Sequence, residues 1–305
     1  MIRVKPISAL LLLAAAAAPS SAQAVGEAAF FGQLRLISAD IKTEIAQASA
    51  FRDKAAELTK EDAFRMVLAR IPASEVPEDY VRAAFDDPET RLIPEIPGRF
   101  RPGPSQPSAQ PYSQYLGQAA AAGAVFYADH KELLDRVEKA YGVDAGILAS
   151  LVGVETFYGT NTGRYPVFST LYTIMVELPG RRDWAANELA EWLRLCRRNG
   201  INPHGVKGSY AGAFGYFQFM PSSFNRFGVD FDGDGRVAFD QWPDVLASVA
   251  NYLKLAGWET GGGFQKPGRN YSAIFAYNHS DGYVKSIVQL RAEILKRTDL
   301  GVAGN

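Results

Sequence analysis

The chain is short of cysteine, of histidine and of any excess charge, and each shortage excludes a class of protein. A single cysteine, Cys196, in 305 residues leaves no internal disulfide and no thiolate metal cluster. Its place in the helix-like run "EWLRLCRRNG" suits a small buried hydrophobe. Three histidines with no paired cysteine argue against a histidine-based nucleophilic or metal mechanism. Lys and Arg number 32 against 33 Asp and Glu, a formal charge of −1. So weak a balance makes nucleic acid or an anionic membrane surface a poor main partner. The sequence also lacks Gly-Lys-Ser/Thr, which a phosphate loop needs, and the Gly-x-Ser-x-Gly elbow of a Ser/His/Asp hydrolase. Period-two alternation is scarce, leaving room for little more than a hairpin near 205–220. What remains is a mainly helical, exported enzyme or binding protein.

Export is read from residues 1–24. Arg3 and Lys5 precede an apolar run from Ala9 to Ala18, and Ala22-Gln23-Ala24 offers a small-x-small cleavage site. This pattern predicts a signal peptide cut near Ala24, too short to stay as a membrane span. No cysteine follows the site for lipid attachment, so the expected product is periplasmic, without a membrane anchor. Its loss moves the formal charge from −1 to −3, since it carries two basic residues and no acid. Residues 25–93 read as an N-terminal helical region. Residues 94–111 hold six of the 17 prolines and read as a linker, or a strap lying across a surface. Residues 112–300 read as the catalytic domain. Within it, helices are expected before Gly142, from an N-cap at Asp144, and over 182–198, 222–227, 243–256 and 281–297.

Three stretches carry chemistry. In "LVGVETFYGTN", 151–161, helical spacing puts Glu155 on the side of Leu148, Leu151 and Val152. A carboxylate there either bends out to water from the last turn or sits in an apolar setting for a purpose. In "DFDGDGRVAFDQWPD", 230–244, Asp230, Asp232 and Asp234 occupy positions 1, 3 and 5 of an EF-hand-like loop, Gly235 makes the turn, and Arg236 offers a backbone carbonyl. Gln241 stands where the bidentate Glu belongs, with Asp240 before it and Asp244 after it, so the closing carboxylate is expected from a longer loop. In "KGSYAGAFGYFQFMPSSF", 207–224, close glycines and Tyr210, Phe214, Tyr216 and Phe217 form either a sugar-binding wall, with Ser209 and Gln218 fixing orientation, or a packed turn before a helix N-capped at Ser222. A fourth stretch, "FAYNHSDGYVKSIVQL", gathers Tyr277, Asn278 and Tyr283, whose amide and phenol donors suit a carbohydrate.

Taken in order, "YGVDAGILASLVGVETFYG", "RRDWAANELAEWL", "KGSYAGAFGYFQFMPSSF", the aspartate loop, "SVANYLKLAGW" and "YNHSDGY" resemble the lytic murein transglycosylases of the membrane-bound transglycosylase B type. The resemblance covers roughly 127–295. It implies a lysozyme-like α+β core, peptidoglycan glycan strands as the partner, and Glu155 as the single catalytic acid. It places sugar-site residues at Ser209, Gln218, Tyr252, Tyr277, Asn278 and Tyr283, with a further aromatic at Tyr115. It also implies a structural calcium, or sodium in its place, held at Asp230, Asp232, Asp234, Arg236 and Asp244, and no cofactor for catalysis. Two departures stand out: only "ETGGGFQKPGRNYSAIFA" separates "GW" from "YNHS", and the N-terminal 100 residues match poorly.

No Asp or Glu occurs between Glu155 and Glu177, whereas ordinary glycosidases use two carboxylates. A one-carboxylate site fits a reaction in which the substrate's own 6-hydroxyl attacks, giving 1,6-anhydro-N-acetylmuramic acid ends. A muramidase admitting water, and a non-catalytic, calcium-stabilised wall-binding scaffold, are the alternatives.

Overall fold

The computed structural model describes residues 58–100 and 110–300, with backbone alone for 110–115. The expected signal peptide, most of the N-terminal helical region and the middle of the Pro-rich stretch lie outside the described residues, as does the Tyr115 side chain. From Leu58 onward the chain is one compact unit. Its helices are α1 (Lys60–Leu68), α2 (Glu78–Asp86), α3 (Ile96–Arg99), α4 (Gln110–Asp129), α5 (Lys131–Tyr141), α6 (Ala145–Thr156), α7 (Val167–Glu177), α8 (Arg182–Asn199), α9 (Pro221–Phe227), α10 (Trp242–Leu255), α11 (Arg269–Tyr277) and α12 (Asp281–Asp299). Two short strands, β1 (Tyr165–Pro166) and β2 (Lys207–Gly208), pair antiparallel in the register Tyr165↔Gly208 and Pro166↔Lys207. Tight bridges Gly208↔Phe214 and Phe214↔Phe219 fold the following stretch back on itself.

The division at 93/94 is not a structural boundary. Phe64, Phe85 and Ile96 are all but fully buried in the same core as Phe168 and Leu189, and Phe85 meets Phe168 edge-on at 5.3 Å. Residues 60–100 lack enough apolar surface to close a core alone and bury it against α7 and α8. Pro94 therefore precedes, and Pro97 lies within, a one-turn helix docked by Ile96.

The centre of the unit is α6. Every residue from Ala145 to Gly153 is buried, so this is a core helix enclosed on all sides, not one with a single apolar stripe. Asp144 caps it by accepting from the Ile147 amide at 2.9 Å, and Gly142 ends α5 at φ +72°, both as the sequence predicts. The helix runs antiparallel to α12 and is fastened near both ends. Arg291 of α12 donates two hydrogen bonds to Asp144, one from Nε at 2.7 Å, and Tyr283 of α12 reaches Glu155. Such a forked pair is the stronger kind of charged contact.

The chain leaves α6 through two left-handed residues, Phe157 at φ +49° and Tyr158 at φ +58°. This reversal carries the Tyr158 ring back beneath the helix, where its hydroxyl donates to the Ala119 carbonyl of α4 at 3.0 Å. The ring fits because Gly153 and Gly123 have no side chain: a Cβ would stand 2.5 Å from the Tyr158 hydroxyl at Gly153 and 2.3 Å at Gly123. Gly153→Ala is expected to lower the unfolding free energy by about 1–3 kcal/mol, the usual cost of overpacking a filled core. Urea denaturation checks this; a loss within about 0.5 kcal/mol, as for an ordinary surface change, would show that the ring is not held there.

Candidate active site

Glu155 projects from the last turn of α6 into a pocket of about 260 Å³ lined also by Leu116, Gly153, Phe157, Asn161, Ser286 and Leu290. Among the described residues lining it, Glu155 is the one ionisable group. Burial pushes its carboxyl up to about 7, and a hydrogen bond from Tyr283 opposes the rise. The direction follows from solvation: an apolar wall cannot replace the water that stabilises a carboxylate, so the neutral acid is favoured. Tyr283 Oη donates to Glu155 Oε1 at 2.6 Å. Tyr283 is itself buried and sits in the first turn of α12, whose N-cap Ser280 accepts from the Tyr283 amide.

Behind Tyr283 stands a bank of aromatic rings. Tyr277 lies parallel to it at 6.4 Å, and Tyr252 meets Tyr277 edge-on at 5.0 Å. The hydroxyls of this bank are spent on backbone: Tyr277 Oη donates to the Phe217 carbonyl at 2.6 Å and Tyr252 Oη to the Ala276 carbonyl at 2.7 Å. Burial, aided by nearby Glu155 and Tyr252, holds the Tyr277 phenol well above its usual range. It stays neutral and keeps donating. Tyr252 and Tyr277 thus tie α10 and α11 to the 214–219 turns and seat Tyr283, rather than offering the free phenol donors that the sequence suggests.

The Gly-rich stretch is mainly the packed turn of its second reading. Phe214 and Phe217 are fully buried, Phe214 packing on Trp192 at 5.0 Å, so neither forms a sugar wall. Tyr216 is packed on Trp242 at 4.6 Å, and Tyr210 is the exposed ring. Ser209 Oγ accepts from the Ala213 amide at 3.1 Å, which leaves its own proton to donate. Gln218 is held at φ +50°. Its Nε2 donates to the carbonyls of Thr162 and Gly215, leaving Oε1 as the acceptor. The α9 helix begins at Pro221 with Met220 as N-cap, not at Ser222. Ser222 instead donates from both its amide and its hydroxyl to the buried Glu188 carboxylate. Asn278 is the exposed C-cap residue of α11.

Glu155, Tyr283, Tyr277 and Tyr252 form one connected set, and Gln218 joins the turn after Glu155 through Thr162. Sequence reasoning passed over Phe157, Asn161, Ser286 and Leu290. Ser286 and Leu290 follow Tyr283 at i+3 and i+7, one face of α12, and that spacing was the available signal.

On another part of the unit, carboxylate oxygens of Asp230, Asp232 and Asp244 lie within 4.8 Å of one another. Asp244 is buried in the first turn of α10, accepting from the Phe231 amide at 2.8 Å and the Ala238 amide at 2.7 Å. Those two bonds draw both ends of the loop onto α10, which explains why closure falls at Asp244 and not at Gln241. Burial first, and then the charges of Asp232 and Asp230, raise the Asp244 carboxyl. Asp234 is outside the converging set and accepts from the Arg236 amide at 2.8 Å. Three converging carboxylates, one of them buried, offer hard oxygen donors that fit a hard divalent cation.

Comparison with known proteins points the same way as the geometry. The family model described as "Transglycosylase SLT domain" matches residues 60–267. The membrane-bound lytic murein transglycosylase B of Escherichia coli (strain K12) is 39% identical over 139 residues, 46% of this chain and 38% of that protein. The match therefore spans well under half of that relative's length. Soluble lytic transglycosylase SltB1 from Pseudomonas aeruginosa shares the fold at TM-score 0.70 and 29% identity, over 78% of this chain and 99% of that one. SltB3 from the same organism, crystallised in complex with NAG-anhNAM-pentapeptide, matches at TM-score 0.64 and 26% identity, over 77% and 78%. The mainly helical, lysozyme-like fold expected from the motif order is the fold observed.

Glu155 also carries a pH-dependent stability term. Its folded-state carboxyl titrates near 7 against an ordinary 4.5, so its contribution is fully present below about 4.5 and is lost as pH rises through about 7. Glu155→Gln keeps an acceptor for Tyr283 and removes the titration. The variant is expected to match wild type at pH 4.5 and to exceed it at pH 8 by up to about 3 kcal/mol, at about 1.4 kcal/mol per tenfold change. Urea denaturation at both pH values decides; a difference that does not change with pH would remove the desolvated-acid reading.

Proposed function

The chain belongs to the transglycosylase SLT domain family, and on that premise we propose that it cleaves the N-acetylmuramic acid–N-acetylglucosamine bond of peptidoglycan without water. The observation that carries the reading is a single desolvated carboxyl, raised to about 7, with no second acid among the described residues that line its pocket. Protonated Glu155 donates to the glycosidic oxygen as the bond to C1 breaks. The 2-acetamido group of the same sugar stabilises the developing oxocarbenium ion. The sugar's 6-hydroxyl then adds to C1, and Glu155, now anionic, takes its proton. Glu155 ends as it began, and the leaving strand keeps the proton it received. Tyr283, donating to Oε1, holds the carboxyl in place and steadies the anion between the two steps.

The remaining assignments rest on the same reading. Ser209, Gln218 and Asn278 position the acetamido and ring hydroxyls, while Tyr252, Tyr277 and Tyr283 form the wall behind them. The missing second carboxylate argues against a muramidase, since a hydrolase must activate a water, and a tethered hydroxyl already has a high effective concentration. The raised Glu155 argues against a purely structural wall-binding scaffold, which gains nothing from a destabilising buried acid. Residues 1–24 support export to the periplasm. Among the described residues no helix is long and apolar enough to cross a membrane.

Digestion of purified peptidoglycan tests the reaction. Products are expected to end in 1,6-anhydro-N-acetylmuramic acid, one water lighter than a muramidase's and resistant to borohydride. Glu155→Gln is expected to lower the rate by roughly 10²–10⁴-fold. Reducible, full-mass ends as the main products would make the enzyme a hydrolase, and a near-normal Glu155→Gln would remove Glu155 from the chemistry.

Calcium at the 230–244 loop is the second part of the proposal. Asp230, Asp232 and Asp244 would hold the ion, with Asp234 and the Arg236 carbonyl completing the loop. The ion's role is to neutralise three gathered carboxylates and stiffen the junction with α10. Added calcium at a hundredfold excess over its dissociation constant is expected to stabilise by about 2.7 kcal/mol. Asp232→Asn, an exposed change, is expected to abolish that response while the chain stays folded. A melting temperature indifferent to calcium and chelator in the wild type would exclude the ion.

A further inference from the structure

A cluster of cations lies beside the glycan groove and has no part in the reaction above. Tyr165 of β1 is buried, yet its phenol oxygen accepts from Arg164 Nη2 at 2.8 Å, with the guanidinium 5.0 Å above the ring. Arg99, at the end of α3, lies close enough to act on the same phenol, and the two cations together hold it below its usual range, Arg164 contributing most. Among the described residues neither arginine forms an ion pair. The one acid Arg164 senses is Glu95, the weakest of the influences on it. Both arginines are exposed. The next residue along, Phe100, meets the exposed Tyr210 edge-on at 5.4 Å.

The β1–β2 register gives this cluster its meaning. Tyr165 pairs with Gly208 and Pro166 with Lys207, and extending that register by one residue sets Arg164 beside Ser209. The backbone is close there: a Cβ on Gly163 would meet the Ser209 amide at 2.7 Å. The cations therefore flank the residue assigned to the sugar's acetamido group. Two guanidinium groups without ion pairs, one of them spent on a phenol oxygen, form a poor final arrangement, because each fork matches a carboxylate better. The chain as a whole is slightly acidic, so this concentration of unneutralised cation is local. In a polymer whose sugars carry peptides, the nearest available anion is a carboxylate of the stem peptide.

We propose that Arg99, Arg164 and the Tyr165 hydroxyl form a subsite for a carboxylate of the peptide attached to the glycan strand. The proposal rests on the glycan-cleaving function proposed above. A stem carboxylate would accept from both guanidinium forks, while the phenol turns its proton toward the same anion and becomes a third donor. The effect is to favour strands that bear peptides over bare strands.

The test compares kcat/KM of the full chain on glycan strands with tetrapeptide stems, on the same strands stripped by an amidase, and on strands whose stem carboxylates are amidated. Wild type is expected to prefer the first, and the other two to behave alike. In Arg99→Ala/Arg164→Ala that preference should shrink by about ten- to hundredfold, the worth of a charge-assisted hydrogen bond. Arg164→Lys, which keeps the charge and loses the fork, should fall between. Equal losses on stemmed and stripped strands, or a wild type without preference, would overturn the subsite. A wild type inactive on every strand would instead overturn the functional reading beneath it.

Discussion

The burial of α6 from Ala145 to Gly153 is the constraint on which the rest of the molecule turns. A helix enclosed on all sides cannot offer its last turn to bulk water, so the acid at Glu155 meets an apolar pocket instead of solvent. The cost is an acid that destabilises the fold once it ionises. The chain offsets that cost locally with one short donor, the Tyr283 hydroxyl. Tyr283 in turn is placed by α12, and α12 by the paired hydrogen bonds of Arg291 to Asp144 at the other end of α6. A strong ion pair at the capped end and a neutral, hydrogen-bonded acid at the other thus fix one helix pair in register. The reactive carboxyl owes its position to that register more than to any contact within its own pocket.

Much of this was legible in the residues because the signals were local. Asp144 and Gly142 are capping residues and act as such. The amphipathic patterns over 182–198 and 281–297 fall on α8 and α12. Where the pattern is not amphipathic, sequence reasoning had nothing to hold. The α7 run "VFSTLYTIMVE" is buried almost throughout and mixes apolar residues with the small polar Ser169, Thr170 and Thr173, so neither period shows. The same blindness affected the boundary at 93/94. Prolines mark a place where helix must stop, but whether the chain beyond them departs or docks depends on Ile96 finding a cavity, which is tertiary information.

The candidate site shows the same limit from the other side. Residue type identified Tyr252, Tyr277 and Tyr283 as a group but not which hydroxyl is available. Two are spent on the backbone carbonyls of Phe217 and Ala276, and the third is given to Glu155. Phe214 and Phe217 look like sugar platforms in a list and are core in space, since the tight bridges at 208–219 turn alternate rings inward. At the aspartate loop, spacing alone put Asp234 on a par with Asp230 and Asp232. The convergence of Asp244 with the other two is set by the amides of Phe231 and Ala238, which no spacing rule contains.

The two charged features outside the pocket obey opposite electrostatic logic, and together they define what the site is for. At the loop, two carboxylates are brought up to a buried third, an arrangement that raises its own energy unless a cation neutralises it. At β1, Arg164 donates to the Tyr165 phenol, Arg99 acts on the same phenol, and among the described residues neither arginine has an ion-pair partner. The Glu155 pocket has neither: its acid keeps its proton up to about pH 7, and no charge near it accounts for any of its shift. Keeping both charged clusters out of the pocket preserves that neutrality, because a nearby cation would draw the Glu155 carboxyl back to its ordinary range and a nearby anion would repel the carboxylate formed after proton transfer. On the reading proposed here, the loop stiffens the scaffold, the arginines engage the substrate's periphery, and proton transfer is left to desolvation and one phenol.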